Sequence, residues 1–223
     1  MIKGGFILSC HCVREPGNGF THLFGAILSF AGLLALVIKT SIVMPSPLAI
    51  TSVIIFGISM ILLYTASTVY HLVISSDKVI AWLRKIDHSM IFILIAGSYA
   101  PFCMISLKGK SGYTLFAIVS IAAIAGVCFK LFWFKCPRWI STIIYIAMGW
   151  VSVVLIVPLY HALSFGGLML LITGGLFYTI GAVIYATKPK FLEFKHFGFH
   201  EIFHIFIILG SLCHFLCVFF YVL

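Results

Sequence analysis

Seven stretches of this chain, roughly 21–43, 48–74, 86–107, 113–134, 139–160, 166–187 and 199–222, are almost continuously apolar. Each reaches the length of about 20 residues at which an α-helix crosses the hydrocarbon core of a bilayer. No water reaches that core, so a crossing segment must satisfy its own backbone N–H and C=O groups, and a helix does so within a single run. The sequence therefore predicts an all-α integral membrane protein, a bundle of seven transmembrane helices. Only 9% of the 223 residues are charged, against about 25% in an ordinary soluble domain. The links between runs are too short for a separate domain. The expected organisation is a segment over 1–20 followed by one seven-helix domain over 21–223, with no clear internal repeat. The opening "MIKGGFIL" has too short an apolar run for a cleaved signal peptide, so the first long run is expected to stay as a span. The seven cysteines are scattered and odd in number, which argues against a disulfide framework. "CHC" at 10–12 lacks the paired cluster of a metal site, and Cys213 and Cys217 share a helix face as packing residues.

The formal net charge of +9 raises the question of nucleic acid, and the placement of the charges excludes it as a partner. Lys3, Arg14, Lys78, Arg84, Lys85, Lys130, Lys135, Arg138, Lys188, Lys190 and Lys195 all fall at the same end of the predicted bundle, eleven in number. The other end has only Lys39, Lys108 and Lys110. Basic residues stay on the cytoplasmic side of a membrane, so the expected orientation is amino terminus inside and carboxyl terminus outside. The same charges attract anionic lipid, and membrane lipids are the expected partners.

An ionisable side chain in the middle of a span costs about 2.5–3.5 kcal/mol on insertion scales, so such residues are functional candidates. His71 lies near the end of the second run. Asp87 is expected in the first turn of the third span, and His200 and His204 in the first two turns of the seventh. With the predicted topology, these groups from three spans meet at one depth. His200 and His204 are four apart and project from one face. A catalytic zinc takes three protein ligands and keeps one position open, and His71 is the natural third. Ser67, four residues before His71, reaches the same region and can hydrogen-bond a ligand or water. Zinc lowers the pKa of water bound to it to about 7, and Asp87 is expected to orient that water and take its proton. The plain alternative is a set of helix-end histidines satisfied by water or headgroups; the shared depth and spacing favour metal. His214 is ten residues beyond His204, about 15 Å along a helix axis, too far to join the same site. It is expected to be a buried hydrogen-bonded residue or part of a second polar site. His11, His161 and His196 carry no expected role. "HEIFH" also has the form H-E-x-x-H, in which Glu201 would be the general base of a metalloprotease.

These residues resemble the bacterial hemolysin III proteins, related to the progestin and adipoQ receptors. The resemblance covers nearly the whole chain. It rests on "EPGNGFTH" (Glu15, Asn18, His22), on "STVYH" (Ser67, His71) followed by "DHS" (Asp87), on "GSYAPF" and "GWVSV", and on "HEIFH" with "GSLCHF" beyond it. It implies seven spans in a cell membrane, here a bacterial inner membrane, with a cytoplasmic amino terminus. It also implies an intracellular-side zinc site ligated at His71, His200 and His204, with Asp87 beside the metal's water and Ser67 close by. Glu15, Asn18 and His22 match a family pattern of structural or ligand-supporting character; a simpler expectation for Asn18, just ahead of the first run, is helix capping. Relatives do not all carry Glu between the two histidines, which makes the protease pattern at Glu201 coincidental. An intramembrane metalloprotease would also need a carboxylate ligand from a later span, and none follows.

Three functions compete. The first is zinc-dependent hydrolysis of a lipid amide or ester, as in the ceramide-hydrolysing relatives of this fold. The second is a receptor-like sensor or regulator with structural zinc, binding a lipid or a partner membrane protein. The third, which the family name suggests, is a cytolysin. A chain this apolar, with no expected secretion signal, is a poor candidate for a toxin released in soluble form.

Overall fold

The computed structural model describes residues 13–133, 135–194 and 198–223. The sequence features at Lys3, "CHC" 10–12 with His11, Lys195 and His196 lie outside the described residues. The architecture is helical throughout, and seven segments are long and apolar enough to cross a membrane. They comprise α1 (Pro16–Val43), α2 (Pro47–Leu72), α3 (Asp77–Pro101) with a π-helical extension (Phe102–Ser106), and α4 (Lys110–Phe132). The fifth span is built from α5 (Arg138–Trp150), a 3₁₀ stretch (Val151–Leu155) and α6 (Ile156–Ala162), the sixth is α7 (Phe165–Thr187), and the seventh is α8 (Phe199–Cys217) with a second π-helical end (Val218–Val222).

Local sequence sets the boundaries. Pro16 and Pro47 open α1 and α2, where a missing N–H removes no intrahelical bond. Lys188, at φ 49°, ends α7 in a left-handed turn just ahead of Pro189. Pro101 lies within α3, and the π-turn follows it directly. The break in the fifth span is held from outside. The Tyr99 hydroxyl lies 2.8 Å from the carbonyls of both Met148 and Gly149 and accepts from the Ser152 N–H at 3.1 Å. A side chain from α3 thus replaces backbone bonds the helix gives up, as non-helical backbone at membrane depth requires.

Two helix starts differ from expectation. α3 begins at Asp77, nine residues before the predicted 86, so Asp87 lies in its third turn, not its first. The extra length, "DKVIAWLRKI", carries Asp77, Lys78, Arg84 and Lys85. Charge hides it from an apolar-run count, but it does not prevent a helix from continuing beyond the lipid. α1 begins at Pro16, and Glu15 occupies the residue preceding the helix. Asn18 is therefore inside the first turn and does not cap α1.

The bundle turns its polar groups inward. His22, His71, His204, His214 and the side chains of Ser29, Thr40, Ser52, Ser59, Ser67 and Ser211 are buried, while Ile27, Ile38, Ile42, Ile121 and Ile124 are exposed. α8 packs against both α1 and α7, α2 against α1 and α3, and α5 against α3 and α7. One end of the bundle is closed by the chain just ahead of α1. Arg14 N–H and Glu15 N–H donate to the carbonyls of Leu72 and His71 at 3.3 and 3.0 Å. At Gly17 a β-carbon would lie 2.9 Å from Glu201 Oε1, so the start of α1 passes directly against the Glu201 side chain of α8. The start of α1, the end of α2 and the start of α8 are thereby gathered at one place.

Candidate metal centre

His71 stands in the last turn of α2, and His200 and His204 in the first two turns of α8. Each offers one ring nitrogen to a common space, and the three atoms lie within 4.8 Å of one another. His71 Nε2 and His200 Nε2 are 3.3 Å apart. His71 and His204 are almost wholly buried, at 2% and 1% exposure. That matters because burying polar nitrogens without partners is costly, and here the partners are arranged so that particular nitrogens stay free.

The arrangement follows from what holds each ring. Glu15 Oε2 lies 2.5 Å from His71 Nδ1. A carboxylate accepts, so Nδ1–H donates, and the other ring nitrogen, Nε2, is turned toward His200. His204 Nδ1 lies 3.2 Å from the carbonyl oxygen of Asn18 and 3.1 Å from Thr21 Oγ1. The carbonyl can only accept, and the Thr21 hydroxyl itself donates to that same carbonyl at 2.8 Å. His204 Nδ1 therefore carries the hydrogen and its Nε2 is free. Metal-binding histidines are held in this way, with the far nitrogen fixed by a carboxylate or backbone carbonyl. Of the motif "EPGNGFTH", Glu15 and Asn18 thus reach the cluster from behind. Glu15→Ala is expected to weaken metal binding by about 10–100-fold, read by competition with a chelator. Unchanged affinity would remove His71 from the ligand set.

The remaining predicted residues fall around the cluster. Ser67, His22 and Asp87 line one cavity together with His200 and His204. The Ser67 hydroxyl, both ring nitrogens of His22 and Asn18 Oδ1 are buried without a hydrogen-bond partner among the described residues. Asp87 Oδ2 lies 3.1 Å from His88 Nδ1, and His88 Nε2 is 2.9 Å from the Tyr185 hydroxyl. Tyr145 donates to the His88 carbonyl at 2.9 Å. Sequence reasoning missed His88, Tyr185, Tyr145 and Thr21. His88 was within reach, as a second ionisable residue beside Asp87. Thr21 carries no spacing signal toward His204, which lies 183 residues away.

Glu201 does something else. Its Oε2 accepts from the Gly198 N–H at 2.9 Å, which satisfies a free donor at the start of α8, and its Oε1 side faces Gly17. It is occupied as a helix-start residue. His214 also stands apart. Its Nδ1 lies 2.8 Å from the Gly210 carbonyl, and its ring is packed near Tyr178 and Phe102. It lines the far end of the same cavity, with Leu107, Leu115 and Leu159. Fourteen helical residues separate His200 from His214, about 21 Å along the axis, so the cavity runs from the histidine cluster deep into an apolar interior.

The sequence family is decided by comparison with known proteins. A family model described as Haemolysin-III related matches residues 10–215, a span that includes Glu15, His71, Asp87, His200 and His204. The chain belongs to the haemolysin-III-related family. It is 42% identical to Hemolysin-3 of Bacillus cereus over 210 residues, covering 94% of this chain and 92% of that protein. It is 41% identical to the Hemolysin-3 homolog of Bacillus subtilis strain 168 over 208 residues, 93% and 94% of the two chains. A more distant likeness, 24% over 171 residues, links it to the human Monocyte to macrophage differentiation factor, covering 74% of this chain and 67% of the human one. This haemolysin-III-related protein is a multi-pass membrane protein whose buried His71 and His204, with the partly buried His200, form a cluster that could hold a metal ion.

Proposed function

We propose that this protein is a zinc-dependent hydrolase of a lipid amide or ester. The observation that carries the reading is the convergence of His71, His200 and His204, with Nδ1 of His71 and of His204 already held from behind. Three neutral imidazoles make a donor set suited to zinc. Bound there, zinc supplies a Lewis acid and a water whose pKa falls to about 7.

The chain's own residues do the rest. Asp87 takes a proton from the attacking water and returns it to the leaving amine or alkoxide. His88, 3.1 Å from Asp87 Oδ2 and itself tied to Tyr185, holds that carboxylate in place. The Ser67 hydroxyl, without a partner among the described residues, donates to an oxygen of the reacting group. The apolar cavity beyond takes the hydrocarbon chain and keeps bulk water from the site, which strengthens every electrostatic interaction inside it. The test is incubation of purified protein with a lipid extract of its native membrane. Mass spectrometry is expected to show one lipid class consumed as free fatty acid appears.

The site belongs at the cytoplasmic end in this reading, because eleven basic residues gather there against three at the other. The substrate is then met from the inner leaflet. Reporter fusions check the orientation: one active only in the cytoplasm is expected to work before Met1 and to be silent after Leu223. The reverse pattern would invert the assignment. The name Hemolysin-3 borne by two relatives suggests membrane lysis as another activity. A bundle that turns apolar side chains outward and polar ones inward is built to stay in one bilayer, which favours lipid chemistry over attack on a second membrane.

A further inference from the structure

His22, expected from its motif to play a structural or ligand-supporting part, is given no contact with a ligand by the site described above. It is 3% exposed, lines the cavity beside Ser67 and Asp87, and has no hydrogen bond at either ring nitrogen among the described residues. Leaving such a group buried and unpaired is costly, and the local fold does not require it to be histidine. A phenyl ring would fill the same position against Tyr64, whose ring lies 5.0 Å away.

Its geometry excludes a share in the metal. The His22 and His204 rings are stacked with centroids 3.5 Å apart and planes within 12°. Imidazole lone pairs and N–H bonds lie in the ring plane. An ion held by His204 would have to lie in the plane of His204, and the nitrogens of His22 point within a nearly parallel layer, its ring centroid 3.5 Å away. That layer is where a molecule bound beside the ion places its atoms. A neutral imidazole brings one N–H donor to it, and the unpaired Ser67 hydroxyl brings another. Two donors without acceptors, next to a carboxylate that only accepts, call for a group with two lone pairs on one atom.

We infer that His22 is a substrate-binding residue whose ring N–H receives the carbonyl oxygen of a lipid amide or ester, with the chain running on into the apolar cavity. This rests on the hydrolase reading above, since that reading brings a carbonyl to the cluster, and it adds the residue that binds it.

The experiment measures binding of two probes of equal chain length, hexadecanamide and hexadecane-1-thiol, to zinc-loaded protein carrying Asp87→Asn so that the amide is not consumed. The thiol engages zinc without a carbonyl. His22→Phe, which keeps the ring stack, is expected to retain zinc and thiol affinity while losing about tenfold in amide affinity. His22→Gln, which restores an N–H donor, is expected to regain most of that loss. Equal amide affinity in the parent and His22→Phe, with zinc present, would overturn the assignment and leave the metal reading standing. A parallel loss of both probes, or of zinc, would make His22 a scaffold residue and overturn it too. If the parent proves zinc-free yet binds the amide, and His22→Phe still loses tenfold, the carbonyl subsite stands and the metal reading falls.

Discussion

Asp87→Asn is expected to leave zinc bound and to lower lipid turnover by about 10²–10⁴-fold, the usual contribution of a general base. The substitution keeps the shape of the side chain and can still hydrogen-bond water and His88, but an amide cannot accept a proton from water. Asp87 is well placed to show this cleanly. It is not among the three clustered ligands, its carboxylate is 13% exposed and lies 3.1 Å from His88, and it lines the cavity that contains His200 and His204. The assay is release of fatty acid from the native lipid extract, with metal content measured on the same samples. A receptor-like regulator with structural zinc predicts otherwise. In such a protein the change alters metal retention or thermal stability, and there is no turnover to lose. If wild type consumes no lipid from the extract under zinc-replete conditions, the hydrolase is abandoned and the regulator remains.

The fold was legible because lipid imposes one rule on every span, and long apolar runs report it directly. What escaped was everything that depends on charge at a helix end or on a neighbour's side chain. The first turns of α3 are helical despite Asp77, Lys78, Arg84 and Lys85, because a helix leaving the bilayer meets water and needs no apolar surface there. The break in the fifth span follows from a tyrosine on another helix, Tyr99, and nothing in "GWVSV" announces that partner.

The histidine cluster was legible in its members and less so in what holds them. His200 and His204 share a face by spacing alone, and His71 follows from depth once the topology is drawn. That Glu15 fixes His71, and that a backbone carbonyl at Asn18 fixes His204, could not be read from spacing. It depends on where α1 begins and on how closely α1 and α8 approach at Gly17. The same contact sets Glu201 of "HEIFH" apart from the two histidines. Glu201 is drawn to the Gly198 N–H and to the start of α1, leaving the two histidines to act without it.

The most direct test of the account is the zinc content of the purified protein, compared with that of a triple variant in which His71, His200 and His204 are all changed to Ala. Each imidazole supplies one nitrogen to the shared space, and truncating all three removes the whole of that donor set. Elemental analysis is expected to give about one zinc per wild-type chain, consistent with a tetrahedral site of three histidines and one water, and almost none in the variant. X-ray absorption at the zinc edge is expected to show nitrogen or oxygen neighbours at about 2.0–2.1 Å and no sulfur. Zinc retained at full stoichiometry in the triple variant, or absent from wild type purified without chelator, would contradict the account.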